Sequence, residues 1–277
     1  MSNPVFNRNP MFGTPRGGPA ATVPVGYGSA GYTAAAAPQV GALEQMYSAP
    51  TATTRDTGRL TYDDVIVKTA GLLALLVVVA AVTWYTAPEL FWVGMIVGLV
   101  LGLVNAFKRN PSPVLIVAYV IAEGVFLGGI SYLFQNYALG GEPAEPIVVQ
   151  AVLGTFATFF AALLLFTSGK VRVTAKFTRW LMVAIGGYAI FSLVNLVLLW
   201  TGVLDEWGMR SGPLGVVISV VAIGLAALAL IVDFDAIKRG VQQGAPAKFA
   251  WTAAFGLIVT LVWLYLEFLR LLAILRN

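Results

Sequence analysis

Neither cysteine nor histidine occurs anywhere in the 277 residues. Without cysteine there is no disulfide framework, no thiolate metal site and no cysteine nucleophile. Without histidine the chain lacks the commonest metal ligand, the usual proton relay and the partner that activates a catalytic serine. Charge is scarce too. Only 11% of residues are charged and 58% are hydrophobic, whereas a soluble domain carries about 25% charged and about 45–50% apolar residues. That balance describes an all-α integral membrane protein with no enzymatic equipment and no cofactor. The formal net charge is +4, but the basic residues lie in short loops between apolar runs. Such a pattern sets topology and needs no nucleic-acid partner.

Residues 1–60 are rich in Gly, Pro, Ala and Ser, as in "GTPRGGPAATVPVGYGSAGYTAAAAPQVGA". They hold no apolar run resembling the core of a signal peptide. The expectation is a disordered tail, too poor in apolar side chains to offset its ordering entropy. "NPVF" and "NPMF" recur within the first twelve residues. Chance produces such a repeat readily in a biased tail, and docking of a protein partner is the alternative.

The second domain, 61–277, contains seven runs that approach or exceed the roughly 20 residues needed to cross a ~30 Å hydrocarbon core. They are expected at about 65–86, 90–107, 114–134, 147–168, 180–200, 214–237 and 252–275. The first two are separated by "APE", which implies a tight hairpin, and "GMIVGLVLGLV" in the second implies close helix contact through its glycines. The loops alternate in charge. Arg55 and Arg59, then Lys108 and Arg109, then Lys170, Arg172, Lys176 and Arg179, then Lys238, Arg239 and Lys248 fall on one side. Glu89, Glu142, Glu145, Asp205, Glu206 and a single Arg210 fall on the other. The positive-inside rule puts the N-terminus in the cytoplasm and, after seven spans, the C-terminus outside.

An ionisable residue inside a span is by default a functional candidate. Lys68 opens the first span and reaches the interface by snorkelling. Glu123 lies about ten residues from the basic end of the third span and Glu267 about ten before the C-terminus, both near mid-membrane at 1.5 Å per residue. Asp233 is about 6–8 Å inside the expected end of the sixth span, and Asp235 is shallower. Three and four residues separate Asp235 from Lys238 and Arg239, so an interfacial ion pair is its plain reading. Glu267 and Arg270 share a helix face and neutralise each other in the same plain reading. Asp233 points about 200° away from Asp235, so one faces the bundle while the other faces the headgroups. Carboxyls buried at low dielectric hold their protons more tightly, and two close together more so. Such a pair between the sixth and seventh helices provides the physics of a pH-gated cation pathway. Oxygen ligands of this kind suit a hard ion such as calcium, bound weakly.

At these residues the sequence resembles the Bax inhibitor-1 family. The resemblance rests on "AEGVFLGGIS" (122–131), "VDFDAIK" (232–238) and "LYLEFLRLL" (264–272) and covers roughly residues 65–275, not the tail. It implies a seven-transmembrane-helix bundle with a central last helix, in the plasma (inner) membrane of a bacterium. It also implies two acids, on the sixth and seventh helices, forming a pH-sensitive latch over a calcium leak. By position these are Asp233, which keeps the family's interval to Ile237, and Glu267, where the family often has aspartate. Matching the preceding aromatic selects Asp235 instead. The segment between the acids, including "GVQQGAPAKFAWTAAF", is long. Either the seventh helix protrudes from the membrane or the acids differ in depth. Glu123, Arg270 and Asp235 are supporting candidates. The competing readings are a proton-coupled transporter, with Gly186–Gly187 as a helix break, and a regulatory scaffold. An intramembrane aspartyl protease lacks its Gly-x-Gly-Asp segment here.

Overall fold

The computed structural model describes residues 58–108, 110–136, 146–203 and 208–276. The expected tail lies outside the described residues except for its last three. Seven helices follow: α1 Tyr62–Thr86, α2 Phe91–Phe107, α3 Pro113–Asn136, α4 Ile147–Thr167, α5 Ala175–Trp200, α6 Gly212–Gln242 and α7 Ala250–Arg276. All seven, with α2 counted together with the preceding turn as Pro88–Phe107, are long and apolar enough to span a membrane, so this is a multi-pass membrane protein in a lipid environment. The loops carrying Lys108, Lys170 and Lys248 share one face of the bundle, the basic face. The α1–α2 hairpin and the α5–α6 connection mark the opposite, hairpin face.

Local chemistry sets several boundaries. Thr61 and Asp64 cap α1 reciprocally: the Asp64 amide donates to Thr61 Oγ1 at 3.1 Å, and the Thr61 amide donates to Asp64 Oδ2 at 3.2 Å. This satisfies two of the orphan donors at a helix start. The "APE" hairpin forms as expected, with Pro88–Leu90 as a single helical turn. The sixth helix runs five residues beyond the expected end at 237, because the hydrophobic run stops at the headgroups while the backbone pattern does not. Gly244, at φ +65, then turns the chain toward α7.

Three residues assigned by composition to the tail belong to the bundle. Leu60 donates its amide to the Ala245 carbonyl at 2.7 Å, and Ala247 donates to Gly58 at 2.8 Å. Leu60 is 4% exposed and joins an apolar cluster with Val65, Leu230, Ile231 and Phe234.

The core is organised around α7, which touches α1, α3, α4 and α6 and contributes to both apolar clusters. The buried residues of α7 fall on several faces of the helix, while Thr252, Val259 and Leu275 are exposed, so its sequence is apolar around most of the helix. Close approach elsewhere depends on glycine. Gly94, Gly98 and Gly102 of α2 lie against Phe126, Glu123 and Tyr119 of α3, which is the small-residue contact expected from "GMIVGLVLGLV". Gly124 and Gly128 of α3 perform the same role against α1: a Cβ on Gly128 would press on the Ala80 carbonyl and lie 2.9 Å from Thr83 Cβ. Overpacking of this kind costs about 1–3 kcal/mol. Gly128→Val is therefore expected to lower stability by that order in detergent-unfolding measurements. Gly224→Ala, which meets nothing within 4 Å, is expected to leave the unfolding midpoint unchanged.

Candidate functional site

The face shared by α6 and α7 is built from two helical stripes. On α6, Ser219, Ala222, Ala226 and Leu230 are buried at helical spacing, and half-buried Asp233 continues the stripe. On α7, Thr260, Trp263, Leu264 and Glu267 recur at the same spacing. The small residues of α6 allow α7 to pack closely. Each stripe is polar toward its ends and apolar between them.

Near the basic face, Thr260 Oγ1 donates to Asp233 Oδ2 at 2.9 Å and lies 3.2 Å from the Gly256 carbonyl of its own helix. Asp235 points away from α7, its Oδ2 2.6 Å from Arg239 Nη1 one turn further on. The two acids of "VDFDAIK" therefore part as their helical phase requires, one toward α7 and one toward the basic face.

Glu267 anchors the second polar layer and is 3% exposed. Arg270 Nη1 donates to both its oxygens, at 3.1 and 3.2 Å. Tyr188 of α5 donates its hydroxyl to Glu267 Oε1. Arg210 Nη1 lies 3.9 Å from the same oxygen. Arg210 comes from the short helical turn Gly208–Arg210 that precedes α6, yet it is only 5% exposed. Its guanidinium donates to Ser192 and sits over the rings of Tyr188 and Phe191, 4.9 and 5.4 Å from their centroids. Asn195 Oδ1 holds the turn by accepting the Met209 amide at 2.8 Å. Two guanidiniums against one carboxylate leave one excess positive charge inside the bundle. A cation cannot rest there until Arg210 or Arg270 leaves.

The two layers do not meet. Thr260, the partner of Asp233, precedes Glu267 by seven residues, about 10 Å along the helix axis. The acids thus differ in depth by two turns, the second of the two arrangements their long separation allowed. Trp263 and fully buried Leu264 fill the interval, with Trp263 against the Tyr188 ring at 5.6 Å. Asp233 and Glu267 do not face each other in this structure: their depths differ, and Arg210 and Arg270 lie against Glu267. Among the described residues no three acidic side chains gather as a metal cluster.

Glu123 lies elsewhere. It faces Gly98 of α2, and its Oε2 is buried without a hydrogen-bond partner. Among the described residues α2 packs on α3 and the hairpin turn, not on α6 or α7, so Glu123 is separate from the other two acids.

A family model described as Bax inhibitor 1 like matches residues 3–277. The chain belongs to that family. The match extends across the N-terminal region, which the three resembling stretches do not reach. None of the curated proteins compared matches the chain.

For this member of the family, sequence reasoning missed Thr260, Tyr188, Ser192 and Arg210. Arg210 alone carried a signal, as the single basic residue of an otherwise acidic loop. Truncating one member of a buried ion pair costs about 3–5 kcal/mol, since its partner is left uncompensated. Glu267→Gln, which strands two guanidiniums, is expected to destabilise on that scale, and Arg210→Gln, which leaves Arg270 and Tyr188 on Glu267, is expected to cost less. The double variant is expected to lose less than their sum by more than about 0.5 kcal/mol. Additive losses in a double-mutant cycle of unfolding free energies would show that the two groups do not interact.

Proposed function

We propose that the protein is a pH-sensitive cation leak, with calcium as the expected ion, gated in two layers along the α6–α7 face. The observation that carries this reading is the placement of Asp233 and Glu267. Both sit on the contact between α6 and α7, inside membrane-spanning segments, where an ionisable group is by default a functional candidate. Near the basic face, deprotonated Asp233 offers a carboxylate to a dehydrating cation and Thr260 adds a hydroxyl oxygen. Protonation removes that attraction. In the other half, Arg210 is a tethered cation that occupies the place of a permeant one beside Glu267. Trp263 and Leu264 form an apolar step between the layers, closed to ions while it stays dry. Conduction then requires the Arg210 turn to withdraw and water to enter past Trp263.

On this reading the basic face is cytoplasmic, following the positive-inside rule, and the membrane is the bacterial plasma membrane. No catalysis and no cofactor are involved. The N-terminal tail remains the candidate contact for a protein partner.

Calcium flux into liposomes holding the purified chain, measured from about pH 6 to 8, tests the reading across a range where perturbed carboxyls titrate. Flux is expected to rise with pH as Asp233 loses its proton. Asp233→Asn is expected to flatten that dependence, Arg210→Gln to raise flux at every pH, and Asp235→Asn to change neither. Equal effects from all three would refute the assignment. Uptake that tracks an opposing proton gradient would favour a coupled transporter. Folded protein that moves no ion at any pH would favour a regulatory scaffold.

A further inference from the structure

A cavity of about 410 Å3 lies apart from the α6–α7 face, bounded by α1, α3, α4 and α7. This is within the roughly 300–1,000 Å3 of small-molecule pockets. It opens sideways. Val77, Ala81 and Tyr85 of α1 and Val149 and Val152 of α4 border it and are exposed on the bundle's outer surface. Leu127 and Tyr265 form its buried back wall. Along α1 it runs from Leu73 to Tyr85, twelve residues or about 18 Å, ending at the hairpin face. One leaflet of a ~30 Å core is about as deep.

Its chemistry excludes most occupants. No charged side chain borders it. Its buried hydroxyls are already engaged: Ser131 Oγ and Tyr265 Oη lie 2.6 Å apart in a hydrogen bond, and Thr155 donates to the Ala151 carbonyl at 2.8 Å. Water gains nothing in such a space, since a buried water needs two to four polar partners. A polar solute would meet polar side chains beyond these hydroxyls only at Trp84, Tyr85 and Gln135, with an otherwise apolar wall. What borders the opening is bilayer hydrocarbon, because the cavity continues the lipid-facing surface of two spans. At its hairpin-face end Trp84 and Tyr85 supply the amphipathic aromatic rings that settle at headgroup level.

We propose that one acyl chain of a phospholipid, from the leaflet on the hairpin side, occupies this cavity and lies between α1 and α4 as part of the bundle. The occupant follows from the apolar wall, the leaflet-length span and the direct opening to hydrocarbon. The site is independent of ion conduction.

The test uses the full chain in nanodiscs of a phosphatidylcholine carrying a photoactivatable diazirine midway along one acyl chain. After irradiation, mass spectrometry maps the lipid adducts. Adducts are expected on Leu127 and Tyr265, which lipid flowing around the bundle does not reach. Ala81→Phe combined with Val152→Phe fills the opening, and those two adducts are expected to be lost while labelling of lipid-facing Trp92 on α2 persists. Wild-type adducts confined to exposed residues such as Val77, Val152 and Trp92 would overturn the proposal. That outcome is readable even if the double variant does not fold. Unchanged labelling of Leu127 and Tyr265 in a folded double variant would overturn it equally.

Discussion

Hydrocarbon provides no counter-charge, so a carboxylate placed in a span must find its compensation within the protein. Glu267 imposes that condition on the hairpin half of the molecule. Its own helix supplies Arg270, one turn away. The rest arrives from elsewhere: the Tyr188 hydroxyl from α5, and the Arg210 guanidinium from the turn that precedes α6. Serving Glu267 therefore binds α5 to the bundle. Much of α5 is exposed, including Met182, Val183, Ile190 and Leu193. Its described polar links to the bundle are Tyr188, Ser192 and Asn195, all in its hairpin-side half. In the other half Leu181, only 2% exposed, adds an apolar contact.

The rest of the bundle is held by the opposite device. Where α2 meets α3 and α3 meets α1, glycines let the backbones approach until side chains and carbonyls touch, and dispersion replaces the hydrophobic drive that lipid cannot supply. That half of the molecule is held by close backbone contact. Gly129 fits beneath Pro88 and Phe91 at the hairpin turn, so even the first loop is fixed to α3. The apolar cavity lies where neither device operates, between α1 and α4.

Much of this was legible in the sequence, and what was legible is local. The seven helices follow from the length of the apolar runs, and the α2 contact from glycines four apart. Asp235 with Arg239 and Glu267 with Arg270 are neighbours on their own helices, so spacing alone brings them together. The residues that escaped notice are joined only by the fold. Thr260 looks like any hydroxyl in an apolar run, and its link to Asp233 spans 27 positions. Tyr188 and Glu267 are 79 apart. Leu60 sits in a polar, Thr-rich stretch, "TATTRDTGRLT" (51–61), with no periodicity, and its burial depends on the α6–α7 loop, which hydropathy does not describe. The end of α6 was placed too early for a related reason: a hydropathy window detects the membrane boundary, not the last hydrogen-bonded turn.

The exchange of partners at the two acids changes how protons and gating connect in the proposed mechanism. Two carboxyls sharing a site form a bistable electrostatic element, because removing the shared proton turns attraction into repulsion. An aspartate facing a threonine has no such second state. Thr260 donates to the carboxylate and loses little when Asp233 is protonated, so the proton controls ion affinity there without forcing the helices apart. Opening must then come from the other layer, where Arg210 rides on a turn and not on a span. Its withdrawal would uncover Glu267 and also release α5, which the same cluster holds. In the proposed mechanism the chemical sensor and the mechanical gate are separate groups, two helical turns apart, with Trp263 and Leu264 between them.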